Sequence, residues 1–331
     1  MKRRSLSTRS LRHDTLPMRH HSLSLFLLLS CCDCAGSIAA SAGGELRRGG
    51  CANGGWGCRA AYSRHPTDKY LRELVREATD GCVSIFVDAG ANIGVHTRFL
   101  FGPAEYPQSS FTKVFSEVFG AAPYNKSAVC SLGFEPNPKH IDRHLALQSA
   151  YRHMGWRYSF FPYALGVNTS GELVFYENGG ANRGAQNEYW GFGTTQRHNN
   201  QSEVRVPSVS FDAVLEQIGK RRLPRAGHTI HPRVIVKMDI EGSEFAVIPQ
   251  VMMTGRLCQV VDYLSVEWHP TPRRGLPSAF QAFNHATVAR LLKAAMADGG
   301  YAGGCLTNVV AVDDETYVHD GRPLPRRIPG A

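Results

Sequence analysis

The sequence of 331 residues predicts an α/β fold built on a doubly wound, mostly parallel sheet. Five short segments are almost continuously apolar, as expected of strands that are buried on both faces. Helical patterns separate several of them, and this alternation is typical of a sheet that carries helices on both sides. The predicted strands cover residues 83–88, 129–135, 158–163, 234–239 and 263–267.

Apolar residues at helical spacing predict the helices of this fold, over residues 67–81, 139–154, 211–218 and 284–298. Two segments interrupt the alternation. Residues 98–128 are an insertion between the first two strands, and residues 171–210 contain two strand candidates that we expect to form an antiparallel addition. Insertions on such a sheet are common positions for substrate-binding loops.

The charge distribution argues against a protein that binds nucleic acid. The formal net charge is +9, but residues 1–60 contribute +6 of it and the remaining 271 residues only +3. A domain that binds nucleic acid usually carries a strongly basic face. No run of 18 apolar residues occurs, which excludes a polytopic membrane protein.

Residues 1–42 have the order of a signal peptide or short signal anchor: a basic region, an apolar stretch, and the small residues Ala40-Ser41-Ala42. A membrane tether through this segment and a transit peptide for a plastid or another organelle are the alternatives. Residues 43–66 are rich in Gly, Ala and Arg and predict a stem or linker, so the main domain is expected over residues 67–331. We expect the secretory pathway, with the Golgi lumen or secretion as the destination.

Sequons and cysteines agree with that compartment. N-x-S/T sequons occur at Asn125, Asn168 and Asn200. Removal of the leader would leave six cysteines, an even number that permits disulfides, and Cys51 with Cys58 is the easiest pair to bridge. No group of Cys and His has the spacing of a zinc site, so no metal site is predicted.

The segment after the first predicted strand has the pattern D-x-G-x-x-x-G, with Asp88, Gly90 and Gly94. Open α/β sheets bind ligands at such turns, where glycine allows a tight turn and a close approach of the backbone to the ligand. A dinucleotide-binding turn would instead read G-x-G-x-x-G. An acid before the first glycine repels a pyrophosphate but suits the positive charges of S-adenosylmethionine, so the turn favours that cofactor.

Glu135 ends the second predicted strand, where a carboxylate can bind both ribose hydroxyls of a cofactor. The alternative is an acid that stabilises the N-terminus of the following helix.

Charged residues also follow the fourth and fifth strands. Lys237, Asp239 and Glu241 end the fourth strand, and Lys237 and Asp239 are expected on the same side because side chains alternate along a strand. Glu244 could simply stabilise the N-terminus of the next helix. His269 follows the fifth strand and is either a general base on a substrate hydroxyl or one more structural histidine among the 14 of the chain.

In this order, the motifs resemble those of the FkbM family of S-adenosylmethionine-dependent methyltransferases over roughly residues 83–270. The resemblance implies a class I methyltransferase fold with a seven-stranded sheet, and methyl transfer to oxygen, frequently to a hydroxyl of a sugar or another natural product. It assigns Asp88, Gly90, Asn92 and Glu135 to cofactor binding, with Gly94 in the same turn, and it places Lys237, Asp239 and Glu241 at the reaction centre. The matching segments are residues 88–97, Phe134-Glu135-Pro136-Asn137, Ala164-Leu165-Gly166, Val209-Ser210-Phe211-Asp212 and Lys237-x-Asp239-x-Glu241-Gly242-x-Glu244.

The resulting hypothesis is an O-methyltransferase for a glycan or small acceptor, in which Asp239, Glu241 or His269 accepts the proton of the hydroxyl. One alternative is a protein that keeps the fold but only binds a glycan or a protein partner, and the intact glycine turn argues against it. Another is an RNA methyltransferase, which the small charge of the main domain disfavours. Pro249 departs from the pattern and is expected to kink or shorten the helix after Glu244.

Overall fold

A computed structural model describes residues 36–40, 46–50, 66–120, 125–169, 171–177, 192–194, 201–222, 233–269 and single positions or short runs between 287 and 314. The chain divides into two compact units, Met1–Ala61 and Tyr62–Ala331. In the first unit, strand β1 (Gly36–Ala40) pairs antiparallel with β2 (Leu46–Gly50). Most of the predicted leader and stem lies outside the described residues.

The second unit alternates strands and helices, as the sequence predicts. Its strands are β3 Ser84–Ala89, β4 Val129–Phe134, β5 Arg157–Phe161, β6 Ala164–Gly166, β7 Gly171–Glu177, β8 Ser202–Ser210, β9 Arg233–Met238, β10 Tyr263–Val266 and β11 Asn308–Val310. Its α-helices are α1 Asp68–Ala78, α2 Val95–Phe101, α3 Ser110–Phe119, α4 Ile141–His153, α5 Phe211–Arg222, α6 Glu244–Met253 and α7 Arg256–Val260. Only part of the helix predicted over residues 284–298 lies within the described residues, and those positions are helical.

The main sheet has the order β11-β10-β9-β3-β4-β5, and all its pairs are parallel. Strands β3, β4 and β5 follow one another in space as they do in the sequence, whereas β9 pairs with the other edge of β3. The order therefore reverses between β3 and β9, and such a switch point opens a crevice at the carboxyl ends of the strands. This confirms the predicted fold class, although the described residues form six strands of the sheet rather than seven.

Helices cover both faces of this sheet, which explains why its strands are apolar at almost every position. Alternate residues of β3 point to opposite sides: Ile85 and Val87 pack with α1, α5, α6 and α7, whereas Phe86 packs with α2, α3 and α4. The predicted insertion over residues 98–128 contains α3, whose buried Phe111 and Phe115 belong to the second of these cores.

A separate sheet of order β6-β8-β7 follows β5. Strand β7 pairs antiparallel with β8 from Gly171↔Ser208 to Glu177↔Ser202, and β6 pairs parallel with β8. This confirms the predicted antiparallel addition and adds the short strand β6 to it.

Two further predictions concern Pro249 and the cysteines. Helix α6 continues four residues past Pro249 to Met253; proline removes a single helical hydrogen bond, and buried Val247, Ile248 and Val251 hold both sides of it in the core. Disulfides join Cys82 to Cys130 and Cys258 to Cys305, whereas Cys51 and Cys58 lie outside the described residues. Among the described helices, none is long and apolar enough to cross a membrane.

Candidate active site

A cleft lies at the carboxyl edge of the main sheet, at the switch point beside β3. One group of lining residues is polar and follows β3, β4 and β9: Asn92, Glu135, His140, Asp239 and Glu241. A second group is apolar and comes mainly from the ends of β4 and β5 and from the smaller sheet: Phe134, Tyr163, Ala164, Leu165, Phe175 and Phe192.

The glycine turn after β3 is wedged between the ends of β4 and β9. Gly90 has φ +80°, and a Cβ atom added to it would lie 1.7 Å from the carbonyl oxygen of Asp239. Its N–H donates to the carbonyl of Phe134 at 3.0 Å. Gly94 has φ +78°, and a Cβ there would lie 2.7 Å from Leu147 of α4. A close backbone contact thus requires glycine at position 90, whereas Gly94 is favoured by its left-handed φ; of the two, only Gly90 lines the cleft.

Asn92 connects this turn to β4 and α4. It has φ +48°, its N–H donates to Glu135 Oε2 at 2.7 Å, and its carbonyl lies 2.7 Å from His144 Nε2. Its side-chain Oδ1 is buried and has no hydrogen-bond partner among the residues that the structure describes. Because Asn92 lines the cleft, this oxygen is suited to accept a hydrogen bond from a bound molecule.

Glu135 is 6% exposed and its carboxylate is strongly hydrogen-bonded. Oε1 accepts from the N–H of Asn137 at 2.8 Å and lies 3.6 Å from His140 Nδ1. Burial by itself would raise the pKa of Glu135, but His140 and the backbone N–H of Asn137 lower it below its ordinary value. The cleft therefore contains an ionised carboxylate where the sequence predicts one.

Asp88 occupies a different position from the one its motif suggests. It is 0% exposed and is not among the residues that line the cleft. Neither of its carboxylate oxygens makes a hydrogen bond of ordinary geometry to the described part of the chain. Burial raises the pKa of Asp88 to about 7, against the opposing attraction of Lys237.

Lys237 and Asp239 lie on the same side of β9, as expected. Lys237 Nζ is 2.7 Å from Asp239 Oδ2 and 3.5 Å from the carbonyl oxygen of Gly90. Burial raises the pKa of Asp239, although Lys237 opposes this. The ion pair holds one oxygen of Asp239 and leaves the other, Oδ1, directed toward His269 at 3.6 Å.

Glu244 organises the loop between β9 and α6. Its carboxylate is 0% exposed and accepts hydrogen bonds from the N–H groups of Ile240 at 3.0 Å and Gly242 at 2.8 Å. It also bonds to His269 Nδ1 at 3.0 Å. Glu241, between these two N–H groups, has the rare φ of +52° for a residue other than glycine. Glu244 therefore does more than stabilise a helix N-terminus: it joins the Glu241 loop to His269.

Four carboxylates lie close to the imidazole of His269. Besides the Glu244 bond, Nε2 lies 3.3 Å from Glu267 Oε1, 3.6 Å from Asp239 Oδ1 and 3.9 Å from Glu241 Oε2. Burial opposes the charged form, but Glu244 and Glu267 outweigh it and raise the pKa of His269 to about 11. A histidine that keeps its proton at neutral pH is poorly suited to the general-base role suggested by the sequence.

The structure adds four residues to the predicted site. Glu244 ends the Lys237–Glu244 motif but was assigned no role in the site, and Glu267 lies two residues before His269; the density of acids at the ends of β9 and β10 is the signal that could have identified both. Phe175 and Phe192 stack on each other with ring centres 4.8 Å apart and line the cleft. No local pattern indicates these aromatic residues, because β7 and the segment around Phe192 reach the cleft only through tertiary contacts.

The strand order, the switch point and the glycine turn define a Rossmann-like α/β protein with a ligand site at the carboxyl edge of its sheet. Residues 88–296 match the methyltransferase FkbM domain, and the chain therefore belongs to this family of methyltransferases. The matched segment contains Gly90, Asn92 and Glu135 as well as the carboxylate cluster around His269. No curated protein and no solved structure matches the chain significantly.

Proposed function

We propose that the protein is an S-adenosylmethionine-dependent O-methyltransferase that acts on a hydroxyl of a glycan or another small acceptor. The observation that carries this proposal is the composition of the single cleft at the switch point. It joins Gly90, Asn92 and Glu135, which suit a nucleoside cofactor, to the carboxylates of Asp239 and Glu241. A methyl donor and a hydroxyl acceptor could meet between these two groups.

The residues on the cofactor side fit S-adenosylmethionine. The ionised Glu135 can accept hydrogen bonds from ribose hydroxyls, and the buried Oδ1 of Asn92 can accept one from the ligand. Ala164 and Leu165 supply apolar surface for a purine. When bound, the cofactor supplies the methyl group from its sulfonium. Asp88, buried away from the cleft lining, would support the glycine turn rather than touch the cofactor.

On the acceptor side, the chain must orient the hydroxyl, exclude water and accept a proton. Asp239 and Glu241 line the cleft, whereas His269 does not and lies behind them. One of these two carboxylates is therefore the proton acceptor in this proposal. Lys237 holds Asp239 in position through the 2.7 Å ion pair, and Glu244 holds the loop that carries Glu241.

The cleft combines features suited to a sugar. The stacked Phe175 and Phe192 offer an apolar surface, and the carboxylates that line the same cleft can accept hydrogen bonds from hydroxyls. This combination supports a carbohydrate acceptor over a flat apolar one.

Two observations support our proposal that the protein acts in the secretory pathway, in the Golgi lumen or outside the cell. Disulfides such as Cys82–Cys130 and Cys258–Cys305 persist mainly in oxidising compartments. The sequon residues Asn125 and Asn168 are both exposed. Asn200 and most of the leader lie outside the described residues.

Calorimetric titration of the full chain with S-adenosylmethionine tests the cofactor assignment. We expect binding that Glu135→Gln weakens at least tenfold, because the amide loses the charge and one acceptor position. Glu203→Gln, at an exposed position of β8, is the matched control and should bind like the wild type. If the folded wild-type chain does not bind the cofactor, the methyltransferase proposal fails in favour of a protein that only binds a glycan or a partner.

A further inference from the structure

Within the part of the chain that the structure describes, carboxylates outnumber cations around His269. Asp239, Glu241, Glu244 and Glu267 each place an oxygen within 3.9 Å of the imidazole. Apart from His269 itself, the cation found on this group among the described residues is Lys237, which pairs with Asp239. A partly buried group with this excess of negative charge is stabilised by a further cation.

Three of these side chains have the arrangement of metal ligands. One oxygen each of Asp239 and Glu241 and one nitrogen of His269 all lie within 4.8 Å of one another. In octahedral coordination at about 2.1 Å, neighbouring ligand atoms lie about 3 Å apart and opposite ones about 4 Å apart. The observed separations of 3.6 and 3.9 Å from Nε2 fall within this range.

The orientation of His269 also suits a ligand. Nδ1 bonds to the buried carboxylate of Glu244, which turns Nε2 toward the carboxylates of Glu267, Asp239 and Glu241. Metal-binding histidines usually donate their second ring N–H to a carboxylate in this way. Asp239 and Glu241 also line the cleft, so an ion could enter from it.

Asp88 adds a further carboxylate to the charged groups around Lys237 and Asp239. It is in register with Lys237 on the neighbouring strand, so both side chains project from the same face of the sheet. Its carboxylate is fully buried, and neither oxygen has a hydrogen bond of ordinary geometry to the described residues. The charge of Lys237 attracts the carboxylate of Asp88, but Lys237 also forms an ion pair with Asp239. A buried carboxylate in this state is costly unless a nearby cation compensates it.

We propose that Asp239, Glu241 and His269 bind one divalent cation at the acceptor side of the cleft, and that the ion displaces the Nε2 proton of His269, which is released to solvent. Two carboxylate oxygens and one imidazole nitrogen suit Mn²⁺, and three protein ligands would leave coordination positions for water and an acceptor oxygen. The site itself needs only these residues. The role that we give the ion, binding and polarising the acceptor hydroxyl, rests on the proposed function.

Titration of the EDTA-treated, dialysed full chain with MnCl₂ tests the site, with heat measured by calorimetry and free Mn²⁺ by electron paramagnetic resonance. We expect saturable binding of one Mn²⁺ per chain. Glu241→Gln and His269→Gln should each weaken it at least tenfold because a ligand is lost. Glu244→Gln, which leaves the three ligands in place but changes the support of His269 and of the Glu241 loop, should weaken it about 10- to 100-fold.

Glu203→Gln is the matched control, since this acid is exposed on β8 and should leave Mn²⁺ binding unchanged. Circular dichroism and thermal unfolding establish which variants fold. Glu244→Gln removes support from a wholly buried site, whereas Glu241 is partly exposed, so Glu241→Gln decides the question if the other variants unfold. The inference is overturned if Mn²⁺ does not saturate the wild type, or if folded Glu241→Gln binds it equally well.

The same chain titrated with S-adenosylmethionine separates this inference from the proposed function. Cofactor binding without Mn²⁺ binding overturns the metal site alone. Mn²⁺ binding with the expected losses in the variants supports the site even where the cofactor does not bind, in which case only the methyltransferase proposal fails.

Discussion

Asp88 should make the folded protein less stable as the pH rises, and Asp88→Asn should remove this effect. The pKa of Asp88 is raised by burial from its ordinary value of 3.8 to about 7. The folded state therefore binds this proton more tightly than the unfolded chain does, and the free energy of unfolding falls between these two values. At 1.36 kcal/mol per pKa unit, the whole loss is about 4 kcal/mol.

The difference between two pH values isolates this contribution. By the same relation, roughly 2.5 kcal/mol of the loss falls between pH 5 and pH 8. Asparagine has the shape of the protonated acid but does not ionise, and its other effects on packing are the same at both pH values. The stability of Asp88→Asn relative to the wild type should therefore rise by about that amount from pH 5 to pH 8.

Urea unfolding at both pH values, with EDTA present and the disulfides intact, measures this change. Glu203→Gln, at an exposed position of β8, is the control and should show almost no pH-dependent difference. The reasoning is refuted if the free-energy difference between Asp88→Asn and the wild type is the same at pH 5 and pH 8. That result would mean that Asp88 titrates alike in the folded and unfolded states.

Three other perturbations follow from the structure. Gly90→Ala should destabilise the protein by several kcal/mol or prevent folding, because its Cβ would lie 1.7 Å from the Asp239 carbonyl oxygen; urea unfolding measures it. Asp239→Asn and Glu241→Gln should affect catalysis, with one of them lowering turnover about 10²- to 10⁴-fold while cofactor affinity changes little; transfer of labelled methyl to a glycan panel, with calorimetry, separates the two effects. Reduction of both disulfides should lower the free energy of unfolding by about 2–4 kcal/mol for each bond, measured with and without reductant.

Each of these perturbations has a control or a contrary outcome. Gly155 has φ +74° with no atom within 4 Å of an added Cβ, so Gly155→Ala should cost only about 1 kcal/mol. Equal costs at the two glycines would contradict the close contact at Gly90. Wild-type turnover in both carboxylate variants would exclude them as proton acceptors. Unchanged stability after reduction would show that the bridges do not constrain the unfolded chain.

Much of the fold could be predicted from local pattern. The five predicted strands appear as β3, β4, β5, β9 and β10, with ends shifted by one or two residues. They are recognisable because strands covered by helices on both faces must be apolar at nearly every position. The alternation of side chains along a strand also predicted that Lys237 and Asp239 lie on the same side, and in the structure they form an ion pair.

The roles of individual site residues depended on contacts between segments distant in sequence. Asp88 has the same motif position whether it faces a ligand or is buried beneath the turn, and only packing of the sheet distinguishes the two. The motif suggests that Gly90 makes room for a ligand. In the structure, the atom that leaves no space for a side chain there is the carbonyl oxygen of Asp239, which directly follows the neighbouring strand β9.

What the sequence by itself determined was the class of fold, the family and the segments that reach the carboxyl edge of the sheet, because these depend on periodicity and on short motifs. The tertiary structure alone decided how the charges in those segments act on one another. His269 is a candidate base in the sequence, but four carboxylates, three from residues 239–244 and one from Glu267, surround it in the fold and hold its proton. Electrostatic interactions depend on distance and burial, which no local pattern of residues specifies.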